Sequence, residues 1–251
     1  AMTAVPDEQT GIKNWFDQTY VREGFGYLRP PAAYAIYARL LALQPGEPFL
    51  DVACGPGLML RQALDAGCVA HGIDISDQAI AMARDSVPEA DTRQANVQAL
   101  PFADGAMAAI TCLGSLERML DLDAVLREIY RVCQPGGRCC FLVRNSETFS
   151  WKFLMDKMGL RNKAGHQGAN SLPAWTAIFE QHGFVIDQVL PYQWPLVRWG
   201  QFLRLGLHTP EPLPTRHGLT PLRAPRDFIV RRREPPRCHT SPRQRSVRPA
   251  C

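Results

Sequence analysis

Apolar stretches of strand length alternate with amphipathic stretches of helical length through the central part of the chain. The strand-like stretches PFLDVA (48–53), CVAHGIDI (68–75) and AMAAITCLG (106–114) are almost continuously apolar, and segments with helical periodicity separate them. Strands that are apolar on both faces are typical of parallel sheets covered by helices on two sides. The sequence therefore predicts an α/β fold with a Rossmann-like, doubly wound sheet.

Three regions are expected along the 251 residues. Residues 1–30 contain clustered aromatic side chains and are predicted to form an N-terminal arm and a lid helix. Residues 31–233 form the α/β domain, with cap insertions around 146–170 and 191–226. Residues 234–251 form a basic tail of low apolar content, which predicts disorder.

Composition restricts the functional classes. Hydrophobic residues make up 46% of the chain, enough for a sizeable core, and no apolar run approaches the roughly 18 residues that cross a bilayer. The N-terminal sequence lacks the pattern of a signal peptide. The eight cysteines are scattered without a CxxC pair, so they predict neither a disulfide framework nor a metal site. These features predict a cytoplasmic protein without a membrane partner.

The C-terminal part of the chain is strongly basic. Between Thr209 and Cys251 there are ten arginines and nine prolines, against Glu211, Asp227 and Glu234. Such a segment binds phosphate groups non-specifically, but no nucleic-acid recognition motif accompanies it. Nucleic acid is therefore not the expected partner. An RNA methyltransferase guided by this tail stays open as a further alternative.

A glycine-containing turn follows the first predicted strand. Gly55 and Gly57 lie at the carboxyl end of that strand, where doubly wound sheets bind ligands, and Asp74 ends the next strand. A carboxylate in this position can accept hydrogen bonds from both hydroxyl groups of a ribose, which predicts a nucleoside-containing ligand. Leu60 stands where a dinucleotide fingerprint has its third glycine, and no phosphate-binding P-loop is present. A side chain at Gly57 is expected to occupy ligand space.

Four consecutive motifs then resemble those of one enzyme family. They are LDVACGPGLML, GIDIS, ANVQALPFADGAMAAITCLGSLERM and LREIYRVCQPGGRCCFLVRN. In this order and spacing they look like class I S-adenosylmethionine-dependent methyltransferases, and in particular the methyltransferase type 11-like family. The resemblance implies S-adenosylmethionine as the cofactor. It also implies a seven-stranded sheet with the last strand antiparallel, which suits FVIDQVLPY and DFIVRR as the final pair.

The resemblance also implies roles for residues at matching positions. Asp74 would bind the ribose hydroxyls, and Ile75 would pack against the adenine face. Asn96 and Val97 would lie at the adenine edge, where many relatives carry Asp in place of Asn. The Asn96 amide oxygen can still accept a hydrogen bond from the adenine amino group.

The remaining cofactor contacts that the resemblance implies lie near the methyl donor. Asp51 and the loop from Gly55 to Gly57 would face the methionine part and the ribose. Leu113, at the end of the fourth strand, would line the floor of the site. Cys54 belongs to the same loop, although its character is that of a small packing residue.

Residues for the acceptor side are less constrained. Arg118 stands where relatives often have histidine, and it is either a solvated surface residue or an anchor for an acidic substrate. His166, in a polar loop after the fifth strand, is a candidate general base, and Tyr20 is a second catalytic candidate. Tyr20 and Tyr27 either pack an N-terminal helix or cover the acceptor pocket, where Tyr27 would contact substrate.

The sequence thus predicts transfer of a methyl group to oxygen, nitrogen or carbon of a small-molecule acceptor by in-line displacement. A quinone or lipid-precursor methyltransferase is an alternative, and so is a methyltransferase-like protein that binds the cofactor without turnover. The expected assembly is a monomer or a homodimer, and no metal is expected.

Overall fold

The computed structural model describes residues 8–147, 168–191 and 226–233. The helices are α1 (Glu8–Glu23), α2 (Pro31–Leu40), α3 (Leu58–Asp65), α4 (Asp77–Ser86), α5 (Leu122–Val132) and α6 (Leu172–Gln181). The strands are β1 (Pro48–Val52), β2 (Val69–Asp74), β3 (Asp91–Gln94), β4 (Met107–Leu113), β5 (Cys133–Val143), β6 (Phe184–Pro191) and β7 (Arg226–Arg232). Short 3-10 helices cover Gly24–Tyr27 and Leu116–Arg118. The candidate base His166, most of both cap insertions and the basic tail lie outside the described residues.

The strands form a single seven-stranded sheet in the order β3-β2-β1-β4-β5-β7-β6. The strands from β3 to β5 pair in parallel, and β7 pairs antiparallel with both β5 and β6. This arrangement confirms the predicted Rossmann-like sheet with an antiparallel last strand. The final pair of strands, β6 (Phe184–Pro191) with β7 (Arg226–Arg232), comes from the two segments expected to form it.

Helices cover both faces of the sheet, which explains why the central strands are apolar throughout. On one face α3 and α4 pack through residues such as Leu60 and Ile80, together with α2. On the other face α5 and α6 pack through residues such as Ile129 and Trp175. All six cysteines in the described part of the chain are buried, and no disulfide joins them, as expected from their scattered positions.

Two irregular features lie beside the parallel strands. The segment from Pro135 to Gly137 lies within β5 at a break in register: Met107 pairs with Cys133, and Ala109 already pairs with Arg138. Strand β3 ends at Gln94, and the residues after it lie in a loop. In the described ranges, none of the helices combines the length and apolar character that a bilayer crossing needs.

Candidate functional site

A cavity opens at the carboxyl ends of three adjacent strands, β2, β1 and β4. This is the position at which doubly wound sheets bind ligands. Its empty space amounts to about 650 Å³ including the part open to solvent, within the range of small-molecule sites. The cavity is lined by Gln9, Ile12, Phe16, Tyr20, Ala53, Asp74, Ile75, Asn96, Val97, Gln98, Ser115, Arg118, Met119 and Leu120.

The glycine turn between β1 and α3 uses backbone angles that favour glycine. Gly55 has φ +53° and Gly57 has φ +87°, and Gly57 is the N-cap of α3. A Cβ at Gly55 would lie 2.9 Å from the hydroxyl of Tyr20, on the side of the cavity. A Cβ at Gly57 would instead lie 2.6 Å from Cγ2 of Val87, in the core beneath α4. The expectation that Gly57 keeps ligand space open is therefore wrong, since this glycine permits helix packing.

A glycine outside the loop takes over the packing that a third loop glycine would provide. Leu60 occupies that third position, and its Cδ1 lies 2.7 Å from where a Cβ at Gly72 would stand. The Sγ of Cys54 lies 2.9 Å from the same point. Because Gly72 lies in the middle of β2, α3 can approach the sheet closely without a glycine of its own.

Asp74 joins the glycine turn to the start of α4. One carboxylate oxygen accepts a hydrogen bond from the Gly55 amide at 2.9 Å, and the other accepts from the Ser76 amide at 2.9 Å. Burial raises the pKa of Asp74, and these backbone amides oppose the rise. Each carboxylate oxygen has a further lone pair, and the side chain lies in the cavity wall, so Asp74 can accept additional hydrogen bonds from a ligand.

Asp51 lies deeper, within β1. Its carboxylate accepts a hydrogen bond of 2.6 Å from the hydroxyl of Thr111 on β4. Burial raises the pKa of Asp51 to about 7, although the bond from Thr111 lowers it. The neighbouring charge of Asp74 contributes to this raised pKa. Asp51 is thus a buried acid that gains or loses its proton near neutrality.

Helix α1 forms the roof of the cavity. Ile12, Phe16 and Tyr20 recur at intervals of four residues, which places them on one face of the helix, and all three line the cavity. Burial, with a smaller effect of Asp74, holds the pKa of the Tyr20 phenol well above its usual value. The raised pKa favours the neutral phenol of Tyr20, which can donate a hydrogen bond.

Polar contacts fasten α1 to the first turn of α4. Asp17 accepts a hydrogen bond of 2.6 Å from the Ser76 hydroxyl and one of 3.3 Å from the Gln78 amide. Lys13 forms an ion pair of 2.8 Å with Asp77. The Ser76 hydroxyl also accepts from the Ala79 amide, so it caps α4 while it holds α1.

Arg118 also lies in the cavity wall, as the last residue of the short 3-10 helix that follows β4. It is 8% exposed, which contradicts the alternative of a solvated surface residue. Its guanidinium lies 5.8 Å from the ring centre of Trp15 and 5.5 Å from that of Phe16. One of its nitrogens lies 3.4 Å from the hydroxyl of Tyr27. Aromatic residues of the N-terminal segment therefore position this cation in the cavity wall.

Two further arginines lie near Arg118. Arg144 directly follows β5, and its Nη1 lies 3.2 Å from Oε1 of the buried Glu117. The same atoms also lack a hydrogen bond of good geometry, so the contact is an ion pair held by charge. The Nη2 of Arg29 lies 3.0 Å from where a Cβ at Gly114 would stand, just after β4. Burial lowers the pKa of Arg144, Arg118 and Arg29 lower it further, and Glu117 raises it.

The structure brings six of the residues singled out in the sequence into the cavity wall: Tyr20, Asp74, Ile75, Asn96, Val97 and Arg118. The other described candidates, namely Asp51, Cys54, Gly55, Gly57, Leu113 and Tyr27, are not among the cavity-lining residues. Sequence reasoning missed Ala53, whose φ of +58° is rare for a residue with a side chain, and no local signal marks it. It also missed Ile12 and Phe16, although their four-residue spacing with Tyr20 was visible.

The fold is that of an α/β domain with a ligand cavity at the carboxyl ends of its strands, and its sequence relatives identify the class of enzyme. The family model described as a methyltransferase domain matches residues 50–141. An uncharacterized methyltransferase of Synechocystis sp. is 30% identical over 152 residues, which covers 59% of this chain and 68% of that protein. The chain belongs to the class I S-adenosylmethionine-dependent methyltransferases.

Two other similarities are more limited. A demethylmenaquinone methyltransferase of Listeria welshimeri is 31% identical over 123 residues, 45% of this chain and 52% of that protein. The chain therefore spans about half the length of that relative. The solved structure of phosphoethanolamine N-methyltransferase 2 from Haemonchus contortus, in complex with phosphomonomethylethanolamine and S-adenosylhomocysteine, has a TM-score of 0.63. It is 16% identical and covers 89% of this chain and 60% of that chain, which is a likeness of fold.

Proposed function

We propose that S-adenosylmethionine binds in the cavity under α1 and that its methyl group passes to a small-molecule acceptor. The observation that carries this proposal is the position of Asp74 in the cavity wall beside Ile75, Asn96 and Val97. Asp74 would accept the ribose hydroxyls, and Ile75 would cover the adenine face. The two loop residues after β3 would meet the adenine edge, and Asn96 would accept from the amino group.

The donor end of the cofactor would point toward β4. The cavity is also lined by Ala53 after β1 and by Ser115 and Arg118 after β4, whereas Asn96 and Val97 follow β3, on the other side of β1 in the sheet. Asp51 and the glycine turn would then support the methionine part from below, and Leu113 would lie under the methyl group. In this arrangement the acceptor enters beside Arg118, with Tyr27 at the edge of its site.

The chemistry requires little more than positioning. A lone pair of the acceptor attacks the methyl carbon in line with the carbon–sulfur bond, and the bonding electrons stay on sulfur, which becomes the neutral thioether. Correct orientation and exclusion of water can supply most of the acceleration. Residues 1–30 would contribute by covering the site, since Phe16 and Tyr20 of α1 lie in its roof. Tyr20 would donate a hydrogen bond, and a base such as His166 is needed only for an acceptor that must lose a proton.

A quinone precursor is the second candidate acceptor. It is favoured by the similarity to a demethylmenaquinone methyltransferase and by apolar residues at the β4 end of the cavity, such as Met119 and Leu120. Such an acceptor would be methylated on carbon and would need an apolar site. Turnover with a demethylmenaquinone analogue, compared with turnover on hydrophilic acceptors, distinguishes the two classes.

Calorimetry with S-adenosylhomocysteine tests the proposal directly. We expect micromolar binding of this ligand and none of NAD, because the chain's sequence relatives are methyltransferases. Asp74→Ala should weaken binding by about 1.5–3 kcal/mol, the scale of hydrogen bonds to a charged group. Asp85→Ala removes the same charge from an exposed position on α4 and should leave affinity unchanged.

Asp74→Ala also tests the structural role of the carboxylate. It leaves the amides of Gly55 and Ser76 without their acceptor, so the variant should lose stability as well as affinity. Affinity is therefore compared at a temperature at which circular dichroism shows both variants folded. An unchanged dissociation constant in folded Asp74→Ala would contradict ribose binding by this residue, and binding of NAD alone would contradict the proposed cofactor. Exchange of methyl label from S-adenosylmethionine to candidate acceptors then separates an enzyme from a protein that only binds the cofactor.

A further inference from the structure

Two thiols meet at the break in register near the start of β5. The Sγ of Cys139 lies 3.7 Å from the Sγ of Cys133 and is placed to donate a hydrogen bond to it. Both side chains are buried in the core beneath α5 and α6, and neither lines the cavity. Methyl transfer as proposed above involves neither thiol, so the pair is a separate chemical feature of the fold.

The irregular backbone between the two cysteines brings their side chains together. Residues six positions apart in a regular strand are separated by about 20 Å. Here the register of β5 against β4 breaks between Cys133 and Arg138, so the chain between them leaves the extended path. A Cβ at Gly137 would lie 2.7 Å from the Sγ of Cys133, so glycine at this position leaves room for the sulfur. The contact between the thiols is therefore a product of this local backbone.

The position of the pair suits formation of a disulfide. The sulfurs of a disulfide are about 2.05 Å apart, so the two sulfurs must approach by about 1.7 Å from their separation of 3.7 Å. Side-chain rotation and a small shift of the segment that contains Gly136 and Gly137 can supply this movement. Cys133 is followed by the partly exposed Gln134 and the exposed Pro135. A small oxidant can therefore reach Cys133 through local opening of a surface segment, without crossing the core.

The surroundings of the pair favour a thiolate at Cys133. The hydrogen bond from Cys139 lowers the pKa of the Cys133 thiol, burial opposes this effect, and the positive charges of Arg232 and Arg138 lower the pKa further. Arg232 also donates a hydrogen bond to the main-chain carbonyl of Cys133, which holds this cation beside it. Burial holds the pKa of the Cys139 thiol well above its usual value, so that thiol keeps its proton. Because the thiolate is the nucleophilic form, Cys133 is suited to attack an oxidant and Cys139 to complete a disulfide.

We propose that Cys133 and Cys139 form a site of reversible oxidation, which reacts with a peroxide and closes to a disulfide. The thiolate of Cys133 attacks one peroxide oxygen, the oxygen–oxygen bond breaks, and Cys133 becomes a sulfenic acid while hydroxide leaves. The hydroxide takes up the proton that Cys133 had lost. The sulfur of Cys139 then attacks the sulfur of the sulfenic acid, and its proton leaves with the hydroxyl group as water. With hydrogen peroxide, two thiols and one peroxide thus give one disulfide and two molecules of water, and two electrons pass from sulfur to oxygen.

Peptide mapping of the full chain tests the inference. The reduced protein is treated with a small excess of hydrogen peroxide under native conditions, unfolded in N-ethylmaleimide to block the remaining thiols, and digested with trypsin. Trypsin cleaves after Arg138, which lies between the two cysteines, so a disulfide appears as two linked peptides. We expect the linked peptides to form, to separate on treatment with dithiothreitol, and to be absent from Cys133→Ser and from Cys139→Ser.

Cys140→Ser is the matched control, because Cys140 is the neighbour of Cys139 in the same tryptic peptide but packs on the opposite face of the sheet. This variant should keep the linked peptides in full. Each of its two peptides contains a single cysteine, so the linkage in this variant is assigned without ambiguity. Cys112 is a second buried thiol, with a pKa that burial holds well above its usual value. We expect Cys133 to react at least about tenfold faster than Cys112.

Absence of the linked peptides from peroxide-treated wild-type protein would overturn the inference, and so would equal rates of oxidation at Cys133 and Cys112. A linkage that forms only after unfolding in urea would also overturn it, since the fold would then not bring the thiols together. Failure of S-adenosylhomocysteine to bind would instead overturn the proposed function and leave this inference standing. If a variant at Cys133 or Cys139 does not fold, mapping of the wild-type protein and of Cys140→Ser still decides the question.

Discussion

Substitution of Gly57 by alanine should destabilise the fold far more than the same substitution at Gly55, two residues earlier in the same turn. Both glycines have positive φ, so each alanine carries the cost of a left-handed backbone, about 1–2 kcal/mol. The difference arises from the neighbours. The new Cβ at position 57 would lie 2.6 Å from Cγ2 of Val87, which is 2% exposed in the core.

Overlap of this kind forces a shift in packed atoms. Besides Val87, the Cβ at position 57 would touch Ala83 at 3.5 Å and Leu60 at 3.6 Å, so the methyl group has no free direction. Overpacking of a core typically costs about 1–3 kcal/mol, which with the backbone cost gives about 2–5 kcal/mol for Gly57→Ala. At Gly55 the neighbour is the Tyr20 hydroxyl, the far end of a side chain that can move, so the backbone cost of about 1–2 kcal/mol remains.

Urea unfolding followed by circular dichroism measures both losses. The double variant Gly57→Ala/Val87→Ala removes the overlapping methyl groups, and its loss should be smaller than the sum of the single losses by about 1–3 kcal/mol. Equal destabilisation by Gly55→Ala and Gly57→Ala, or additivity in the double variant, would refute the assignment of Gly57 to helix packing. In folded protein we expect Gly55→Ala to weaken binding of S-adenosylhomocysteine, because the new alanine Cβ would displace the hydroxyl of Tyr20, which lines the cavity.

Three shorter predictions concern the same edge of the sheet. The pKa of Asp51 is raised to about 7 in the folded protein, so Asp51 ionises at lower pH in the unfolded chain. The contribution of Asp51 to the free energy of unfolding is therefore fully present below about pH 4. It is lost as pH rises through 7, and the loss is at most about 4 kcal/mol. Urea unfolding of Asp51→Asn should lack this fall, and parallel pH profiles of the two proteins would contradict it. Ala53→Gly removes the strain of a positive φ and should raise the free energy of unfolding by about 0.5–1 kcal/mol, after the larger chain entropy of glycine is subtracted. A loss of stability would show that the backbone at Ala53 is not strained. Asp17→Ala should speed hydrogen exchange in α1, because it removes the acceptor for the Ser76 hydroxyl, and unchanged exchange would show that α1 is held by its apolar face.

The sheet was predictable because each central strand is buried on both faces and therefore has a continuous apolar sequence. Asp74 was predictable as well, since the end of a strand next to the glycine turn is a position fixed by topology. The sequence could not show which glycine faces the cavity and which faces the core. Gly57 faces Val87, thirty positions later in the chain, and that contact depends on how α4 is placed.

The burial of Arg118 was not predictable for a similar reason. Its neighbours Trp15, Phe16 and Tyr27 come from about a hundred residues earlier in the chain. A local window around Arg118 contains charged residues and a short 3-10 helix, which is also what a solvated loop would contain. The recurrence of Ile12, Phe16 and Tyr20 did carry information about α1, since one helix face of three apolar residues must be covered by something.

Ser76 makes attachment of the amino-terminal helix and occupancy of the cavity thermodynamically reciprocal. Its amide donates to Asp74 and its hydroxyl donates to Asp17, so one residue contacts both the carboxylate that we propose binds the ribose and the residue that fastens α1. If a ligand on Asp74 stabilises this turn, it raises the equilibrium constant for docking of α1 by a certain factor. Docking of α1 must then raise the affinity for the ligand by the same factor. If the cofactor binds Asp74 as proposed, cleavage after Arg22, an exposed residue of α1, should weaken cofactor binding, and bound cofactor should slow cleavage at that bond.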